Sequence, residues 1–565
     1  MVEPTGITAG LINLLAVFII AASVGVFVAK VGRFPYTIAL LLAGLAVSIL
    51  GINIDITLTH DLILLVLLPP LLFEGAATTD LDSFRENLGL VLTLAVPGLI
   101  VSILILGVMG HYAFGYPLLL ATLFAAMILP TDPVSVLALF EELGAPERLS
   151  VLVEGESLLN DGVGVVVFSA LFVLVKRSVE NDIELSKLIT PKVIGNTAIE
   201  IVFASIGGLV VGLAAGYLIY RVMVNLDEHM TEIVLTLILA YGSFLLAEHY
   251  FHVSGVIATV TAGLLIGNRG AEYAMSPQTK ISVFNTWDTA AFLVNTLIFV
   301  LIGAKTPIHQ MVDNWQLIVI AIVLTLVVRA ITVYPFTEAV NRFTRSDIPF
   351  SYQHVMVWGG LHASIPIALV LGLPSEFPYI GELRSMVFGV AAFSLIVQGL
   401  TMSNLLDHLN IVTRTETEEL YELLLGRARA VDSALEAADR LHNRGDLPGD
   451  VYDDFRGEYE AEKDDLNTTI SRLLHENPEL RREELLVGER RVLKQEKSAV
   501  MDAMRSGVIS DDVGERLLEE VDLKLDRVDT GQSTVRDDPD NEAYEEFWRA
   551  RVKEYGLDTS SADDD

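Results

Sequence analysis

The chain has 565 residues, of which 52% are hydrophobic, and its mean hydropathy is +0.51, a value that soluble domains of this length rarely reach. Cysteine is absent, which excludes disulfides, thiolate metal sites and cysteine nucleophiles. The net charge is −34, and the residues from 411 onward contribute −20 of it through 42 acidic and 22 basic residues, so nucleic acid is not an expected partner.

Long apolar runs separated by short polar breaks fill the chain from about residue 7 to about residue 405. Because a helix needs about 20 apolar residues to cross a bilayer, the runs predict 13 membrane-spanning helices and an all-α membrane domain over residues 1–410. The predicted spans are approximately 7–30, 34–52, 60–78, 87–112, 117–141, 149–175, 196–223, 231–250, 254–268, 282–303, 315–340, 352–373 and 383–405.

Basic residues in the loops predict the orientation of these helices. The first, third and fifth loops carry Lys30, Arg85 and Arg148, and the later odd-numbered loops up to the eleventh are also basic, whereas the second, fourth and eighth carry no Lys or Arg. The sixth loop, with four basic residues, is the exception. We therefore expect a multi-pass protein of the cell membrane, surrounded by its lipids, with the N-terminus outside and the C-terminal tail in the cytoplasm.

The tail divides into a helical part and an acidic end. Apolar positions three or four residues apart predict helices over 416–445, 450–475 and 478–528, and hence a cytosolic helical domain over 411–530. That domain is expected to regulate or assemble the protein, and a small molecule or a protein is a candidate regulator. Residues 531–565 are expected to be flexible. The acidic, lysine-poor composition hints at a salt-adapted prokaryote.

The fifth predicted span contains a break. Pro130 and Pro133 bracket Thr131 and Asp132, and proline removes a backbone donor and clashes with the preceding turn. Irregular backbone in a bilayer is tolerated only where it is buried in protein or lines a wet cavity. The carbonyl of Thr131 and the carboxylate of Asp132 are therefore candidate ligands for a hard cation, although a simple proline kink with a capping Asp is the structural alternative.

The sixth predicted span carries two pairs of polar residues on adjacent faces. Ser157 and Asp161 are four residues apart and share one face, and Glu156 and Asn160 share the next. Glu74 lies inside the third span. Intramembrane charges are costly and usually functional. Because Asp161 must be protonated or bound to a cation at such depth, H⁺ and a cation would compete for its oxygens.

Three motifs carry a resemblance to a known family. Pro-Thr-Asp-Pro at 130–133, Gly-Glu-Ser-Leu-Leu-Asn-Asp at 155–161 and Gly-Leu-Thr at 399–401 resemble the sodium/proton exchangers of the cation:proton antiporter-1 family, in its prokaryotic NhaP type. The resemblance implies inverted repeats, two broken helices that cross near the site, a homodimer, and an elevator movement of a core bundle against a dimerisation bundle.

The resemblance also implies roles for the polar residues of the membrane domain. In that family the residue at the position of Asp161 binds the cation and carries the proton. Ser157, the carbonyl of Thr131, Asp132 and Glu74 would complete the cation site, some of them through water.

One position departs from the family pattern. The second broken helix is expected at 358–366, where the family has Arg and this chain has His362. That Arg pairs in the family with the residue equivalent to Glu156, which in turn holds the equivalent of Asn160. Both Arg329 and His362 therefore remain candidate partners of Glu156. Asn160 itself, in place of a second Asp, implies electroneutral exchange.

These features predict a secondary transporter rather than an enzyme. We expect an electroneutral Na⁺/H⁺ antiporter, with Li⁺ as a further substrate and without a cofactor. The sequence holds no phosphate-binding loop, which argues against an ATP-driven pump. A K⁺/H⁺ antiporter of the same fold remains an alternative, because oxygen ligands alone do not determine ion size. A cation channel or a membrane sensor is the alternative from another class.

Overall fold

The computed structural model describes residues 6–31, 35–51, 62–180, 190–224, 226, 228–344, 348–362, 364–374, 376–411, 416–444, 446–505, 508–529 and 533. Within these ranges the regular secondary structure is entirely helical, which confirms the predicted all-α class. The chain divides into two compact units, Met1–Thr413 and Arg414–Asp565. The segment 531–565 lies outside the described residues except for Ser533, so its predicted flexibility stays a prediction.

The first unit consists of apolar helices joined by short connections. Its helices are α1 (Gly6–Val31), α2 (Tyr36–Ile49), α3 (Leu68–Thr78), α4 (Leu81–Thr93), α5 (Leu99–Phe114), α6 (Leu118–Ile128), α7 (Val134–Leu143), α8 (Glu147–Glu180), α9 (Pro191–Met223), α10 (His229–Leu245), α11 (Gly255–Leu265), α12 (Ala271–Tyr273), α13 (Pro277–Ala304), α14 (Ile308–Asp313), α15 (Trp315–Thr344), α16 (Phe350–Trp358), α17 (Ser364–Leu371), α18 (Ile380–Phe393) and α19 (Gly399–His408). Five π-helical turns lie beside them, at Leu62–Leu67, Leu94–Gly98, Leu246–Tyr250, Ile266–Gly270 and Ser394–Gln398.

Eight helical stretches of the described residues are long and apolar enough to cross a membrane: Gly10–Lys30, Ser83–Phe114, Glu147–Ser178, Pro191–Met223, His229–Tyr250, Gln278–Ala304, Trp315–Thr344 and Ile380–His408. Large apolar side chains on α1 and α9 are exposed, with Ile19 65% and Phe203 68% accessible. Contiguous apolar surface of this kind indicates contact with lipid rather than water. The molecule is a multi-pass membrane protein.

Close packing between α2 and α13 depends on two glycines. A Cβ atom on Gly44 would lie 2.2 Å from the carbonyl oxygen of Val300, and one on Gly303 would lie 2.3 Å from that of Leu41. No side chain fits at either position without moving the two backbones apart. Small residues at a crossing are the usual basis of close helix packing in a bilayer, where dispersion contacts replace the hydrophobic effect.

Two of the predicted spans are interrupted. α6 ends at Ile128 and α7 begins at Val134, so the break covers the Pro130–Pro133 motif, as the two prolines predict. α16 ends at Trp358 and α17 begins at Ser364. Pro366 lies in the first turn of α17, where its missing N–H costs no hydrogen bond. The second break therefore precedes Pro366, at the Gly359-Gly360 pair.

The described residues of the second unit form four helices in two antiparallel pairs. α20 (Glu416–Arg444) packs on α21 (Gly449–Glu476), and α22 (Pro478–Arg505) packs on α23 (Asp511–Asp529). Surface ion pairs join the first pair, among them Arg427 with Glu462 at 2.6 Å. Exposed pairs of this kind each contribute little, about 0–1 kcal/mol.

Candidate cation-binding site

The two broken helices meet at their interruptions. The backbone N–H of Asp132 donates to the carbonyl of Leu361 at 2.8 Å, which joins the first break to the second. The backbone N–H of His362 donates to Ser394 Oγ at 3.1 Å, which ties the second break to the π-helical turn before α19. Backbone groups that a regular helix would pair internally are thus paired across the crossing.

The polar side chains of α8 attach to the first break. Asn160 Nδ2 donates to Thr131 Oγ1 at 2.8 Å, and Asn160 Oδ1 accepts from the backbone N–H of Thr131 at 3.3 Å. The hydroxyls of Thr131 and Ser157 are 2.9 Å apart. All three residues are buried. The amide of Asn160 is therefore engaged by the break on both of its polar atoms.

Asp161 lies next to this network on α8. Its side chain is partly exposed, and the carboxylate of Asp132 is near enough to interact with it electrostatically. Two carboxylates, with the hydroxyls of Thr131 and Ser157 close by, form the kind of oxygen environment that a small hard cation prefers. The structure therefore brings together four of the residues predicted for the cation site.

Glu74 belongs to a different group of acids. The charges that act on it come from Asp288 on α13 and from Glu154 on α8. Glu154 accepts a hydrogen bond from Thr79 Oγ1 at 2.8 Å. Glu154 and Asp161 are seven residues apart and share one helical face, so this second group lies about two turns from the first. The sequence analysis did not single out Glu154 or Asp288, and their depth in apolar helices was the available signal.

Glu156 is paired with Arg329. Arg329 Nη1 donates to Glu156 Oε1 at 2.6 Å, and Nη2 donates to Oε2 at 2.9 Å. Arg329 Nη2 also donates to the carbonyl of Met356 at 3.0 Å, near the end of α16. A Cβ atom on Gly360 would lie 2.4 Å from Arg329 Nε, so the second glycine of the break leaves room for the guanidinium. Bidentate pairs of this kind combine charge with fixed geometry.

His362, the other candidate partner of Glu156, bonds to the first break instead. Nδ1 of His362 is 3.1 Å from the carbonyl oxygen of Pro130, and the side chain is buried. The imidazole therefore satisfies a backbone carbonyl that the first break leaves unpaired. Of the two candidate partners of Glu156, the structure selects Arg329, because the Arg329 side chain reaches across from α15 while the imidazole of His362 bonds to the first break.

Thr401 of the Gly-Leu-Thr motif and Gln398, directly before the motif, support the second break. Gln398 Nε2 donates to the carbonyl of Trp358 at 2.7 Å, and Trp358 Nε1 donates to Thr401 Oγ1 at 3.0 Å. Gln398 is 2% exposed, so its amide is committed to this contact. Side chains of α19 and of the π-helical turn before it thus hold the end of α16 in place, which explains why the motif lies next to the site.

Two broken helices that cross beside acidic side chains in a membrane domain define a secondary transporter. The family described as "Sodium/hydrogen exchanger, transmembrane" matches residues 16–408, and the chain belongs to that family. The antiporter NhaG of Bacillus atrophaeus is 33% identical over 90% of this chain and 97% of its own length. The antiporter ApNhaP of Aphanothece halophytica is 38% identical over 74% of this chain and 79% of its own.

A solved structure shares the fold. The structure of MjNhaP1 from Methanocaldococcus jannaschii matches 72% of this chain and 98% of its own, with a TM-score of 0.58 and 18% identity. The resemblance read from the three sequence motifs is thereby confirmed at the level of family and fold. The protein is a transporter and not an enzyme.

Proposed function

We propose that the protein exchanges Na⁺ for H⁺ without net charge movement, with Asp161 binding the cation and the proton in turn. The observation that carries the proposal is the position of Asp161 and Asp132 at the crossing of the two broken helices. The relatives are named as Na⁺/H⁺ antiporters, which favours Na⁺ over K⁺. Li⁺, with the same charge and a smaller radius, is a second substrate.

The exchange follows from competition for the same oxygens. Protonated Asp161 is neutral and stable in an apolar helix, whereas ionised Asp161 needs a cation. Release of the proton on one side makes the cation site, and binding of a proton on the other side removes it. Asp132, Thr131 and Ser157 supply the remaining ligands, with Glu74 at a more distant position. A homodimer whose core bundle moves as an elevator would expose the site to each side in turn.

The direct test is cation-induced proton flux in proteoliposomes. Addition of Na⁺ or Li⁺ to one side should move protons across the membrane, and K⁺ should produce a much smaller flux. A flux driven equally by K⁺ would favour the K⁺/H⁺ alternative. Currents at a high unitary rate would favour a channel, and absence of both would favour a sensor.

The exchange is expected to be insensitive to membrane potential. Glu156 is neutralised by Arg329 and both polar atoms of Asn160 are occupied, so neither residue adds a second exchanging charge beside Asp161, which alternates between one proton and one cation. With Na⁺ as substrate, clamping the potential with K⁺ and valinomycin should leave the initial rate unchanged. A rate that followed the imposed potential would contradict the one-for-one stoichiometry.

The C-terminal unit is expected to be dispensable for exchange itself. Every residue assigned to the site lies between Glu74 and His362, within the unit Met1–Thr413. A chain truncated after residue 413 should therefore still exchange Na⁺ for H⁺ in proteoliposomes, with a changed pH or concentration dependence if the tail is regulatory. Complete loss of flux in a truncated protein that remains monodisperse would show that the tail takes part in transport.

A further inference from the structure

Ser364 connects the second broken helix to an acid of the cation site. It is the first residue of α17, and its hydroxyl donates to Asp132 Oδ2 at 2.8 Å. Its backbone N–H points to the same oxygen at 3.4 Å. The rest of α17, Ile-Pro-Ile-Ala-Leu-Val-Leu, is entirely apolar. A single hydroxyl in this helix thus contacts a carboxylate assigned to the site.

The same short segment engages Asp132 twice. Leu361 accepts the backbone N–H of Asp132, and Ser364, three residues later, donates to its side chain. Asp132 is buried, with 8% of the residue exposed, so water has little access to replace either contact. Both the backbone and one carboxylate oxygen of Asp132 are therefore held by the break between α16 and α17.

This geometry has two consequences for a cation. A carboxylate held in place before the ion arrives loses less conformational freedom when the ion binds, so affinity rises. A hydrogen bond to one oxygen also sets the direction in which the carboxylate presents its charge. The separation of the Asp132 and Asp161 oxygens, and with it the preferred ion size, then depends on Ser364.

We propose that Ser364 is a positioning residue that sets cation affinity and the choice between Na⁺ and Li⁺ by holding the carboxylate of Asp132. The inference rests on the proposed function and extends it to a residue outside the predicted site. The contact between Ser364 and Asp132 also makes the ion site sensitive to the position of α17, since movement of this half-helix would carry the hydroxyl away from Asp132.

The test compares two isosteric substitutions in the full-length protein. Ser364→Thr keeps a hydroxyl, whereas Ser364→Val has the shape of threonine without the hydroxyl, so the two variants are isosteric with each other. Proteoliposome flux is measured against Na⁺ and Li⁺ concentration for wild type, both variants and Ser205→Ala. Ser205 in α9 donates to Ile201 of its own helix and controls for the loss of a hydroxyl in a membrane helix.

We expect Ser364→Val to raise the KM for Na⁺ roughly tenfold, the usual effect of losing one hydrogen bond to a charged group. Its maximal rate should stay within about twofold of wild type, and its ratio of Na⁺ to Li⁺ affinity should change. Ser364→Thr should keep the KM for Na⁺ and the ratio of Na⁺ to Li⁺ affinity near their wild-type values, and Ser205→Ala should leave both unchanged.

Two results would overturn the assignment. Equal KM values for the Thr and Val variants, in a protein that still exchanges Na⁺ for H⁺, would show that the hydroxyl does not position Asp132. A fall in maximal rate with an unchanged KM would show a role in packing alone. Absence of Na⁺-driven flux in the wild type would refute the proposed function instead, so the two failures are distinguishable.

Discussion

Asp161→Asn is expected to reduce Na⁺/H⁺ exchange to the background of protein-free liposomes. The amide has nearly the same shape as the carboxylate, but it carries no charge and neither binds nor releases a proton near neutral pH. The cation would lose its principal counter-charge, while Asp132 would remain. The measurement is proton flux on addition of Na⁺, at several pH values and at saturating cation.

The control separates loss of the site from loss of the fold. Asp161 makes its contribution through charge, so its replacement by Asn should leave the helices packed and the protein monodisperse after purification. Asp161→Glu retains the titrating group and should retain part of the activity. Exchange by Asp161→Asn at a rate near wild type would show that another group carries the proton, with Glu74 or Asp132 as the next candidates.

The first break could be predicted from sequence because its cause is local. Two prolines three residues apart interrupt a helix when they lie in its interior, and the observed interruption from 129 to 133 contains both of them. The pairing of Thr131 with Ser157 and Asn160 was not predicted, because the i,i+4 spacing indicated only that Ser157 and Asn160 lie on adjacent faces of one helix. The motif resemblance supplied the rest of that site.

The partner of Glu156 could not be predicted, because it lies on a different helix 173 residues away. Both Arg329 and His362 were candidates from sequence, and only the packing of α15 against the second break separates them. Ser364 was missed for the same reason. A serine at the start of an apolar helix resembles an ordinary cap until its contact with Asp132 is known.

The acids around Glu74 show a limit of a different kind. Sequence grouped Glu74 with Asp161 through the family resemblance, whereas its electrostatic partners are Glu154 and Asp288. Like charges of this sort are visible in sequence only as separate residues of separate spans. Their assembly depends on α3, α8 and α13 packing together, which no local pattern records.

The ion pair between Glu156 and Arg329 leads to the second large expected effect, in which Arg329→Leu destabilises the protein and abolishes exchange. The Glu156 side chain is 4% exposed and that of Arg329 12% exposed, so removal of the guanidinium leaves a buried carboxylate without its partner. Breaking one side of a buried pair typically costs about 3–5 kcal/mol. Arg329→Leu also removes the donor to Met356, so the end of α16 loses support at the same time.

Two further variants make this result specific. Glu156→Gln should be the milder change, because it leaves Arg329 its contact with Met356 and replaces the carboxylate with a neutral amide. His362→Gln should retain the ion pair, since the imidazole bonds to Pro130 instead. Thermal unfolding followed by size-exclusion chromatography, together with Na⁺-driven flux, would rank the three variants. If His362→Gln were strongly destabilising while Arg329→Leu resembled wild type, then Glu156 would draw its counter-charge from His362. The reverse order would show that Arg329 on α15 holds Glu156. In the family pattern the arginine that holds the equivalent glutamate lies on the second broken helix instead.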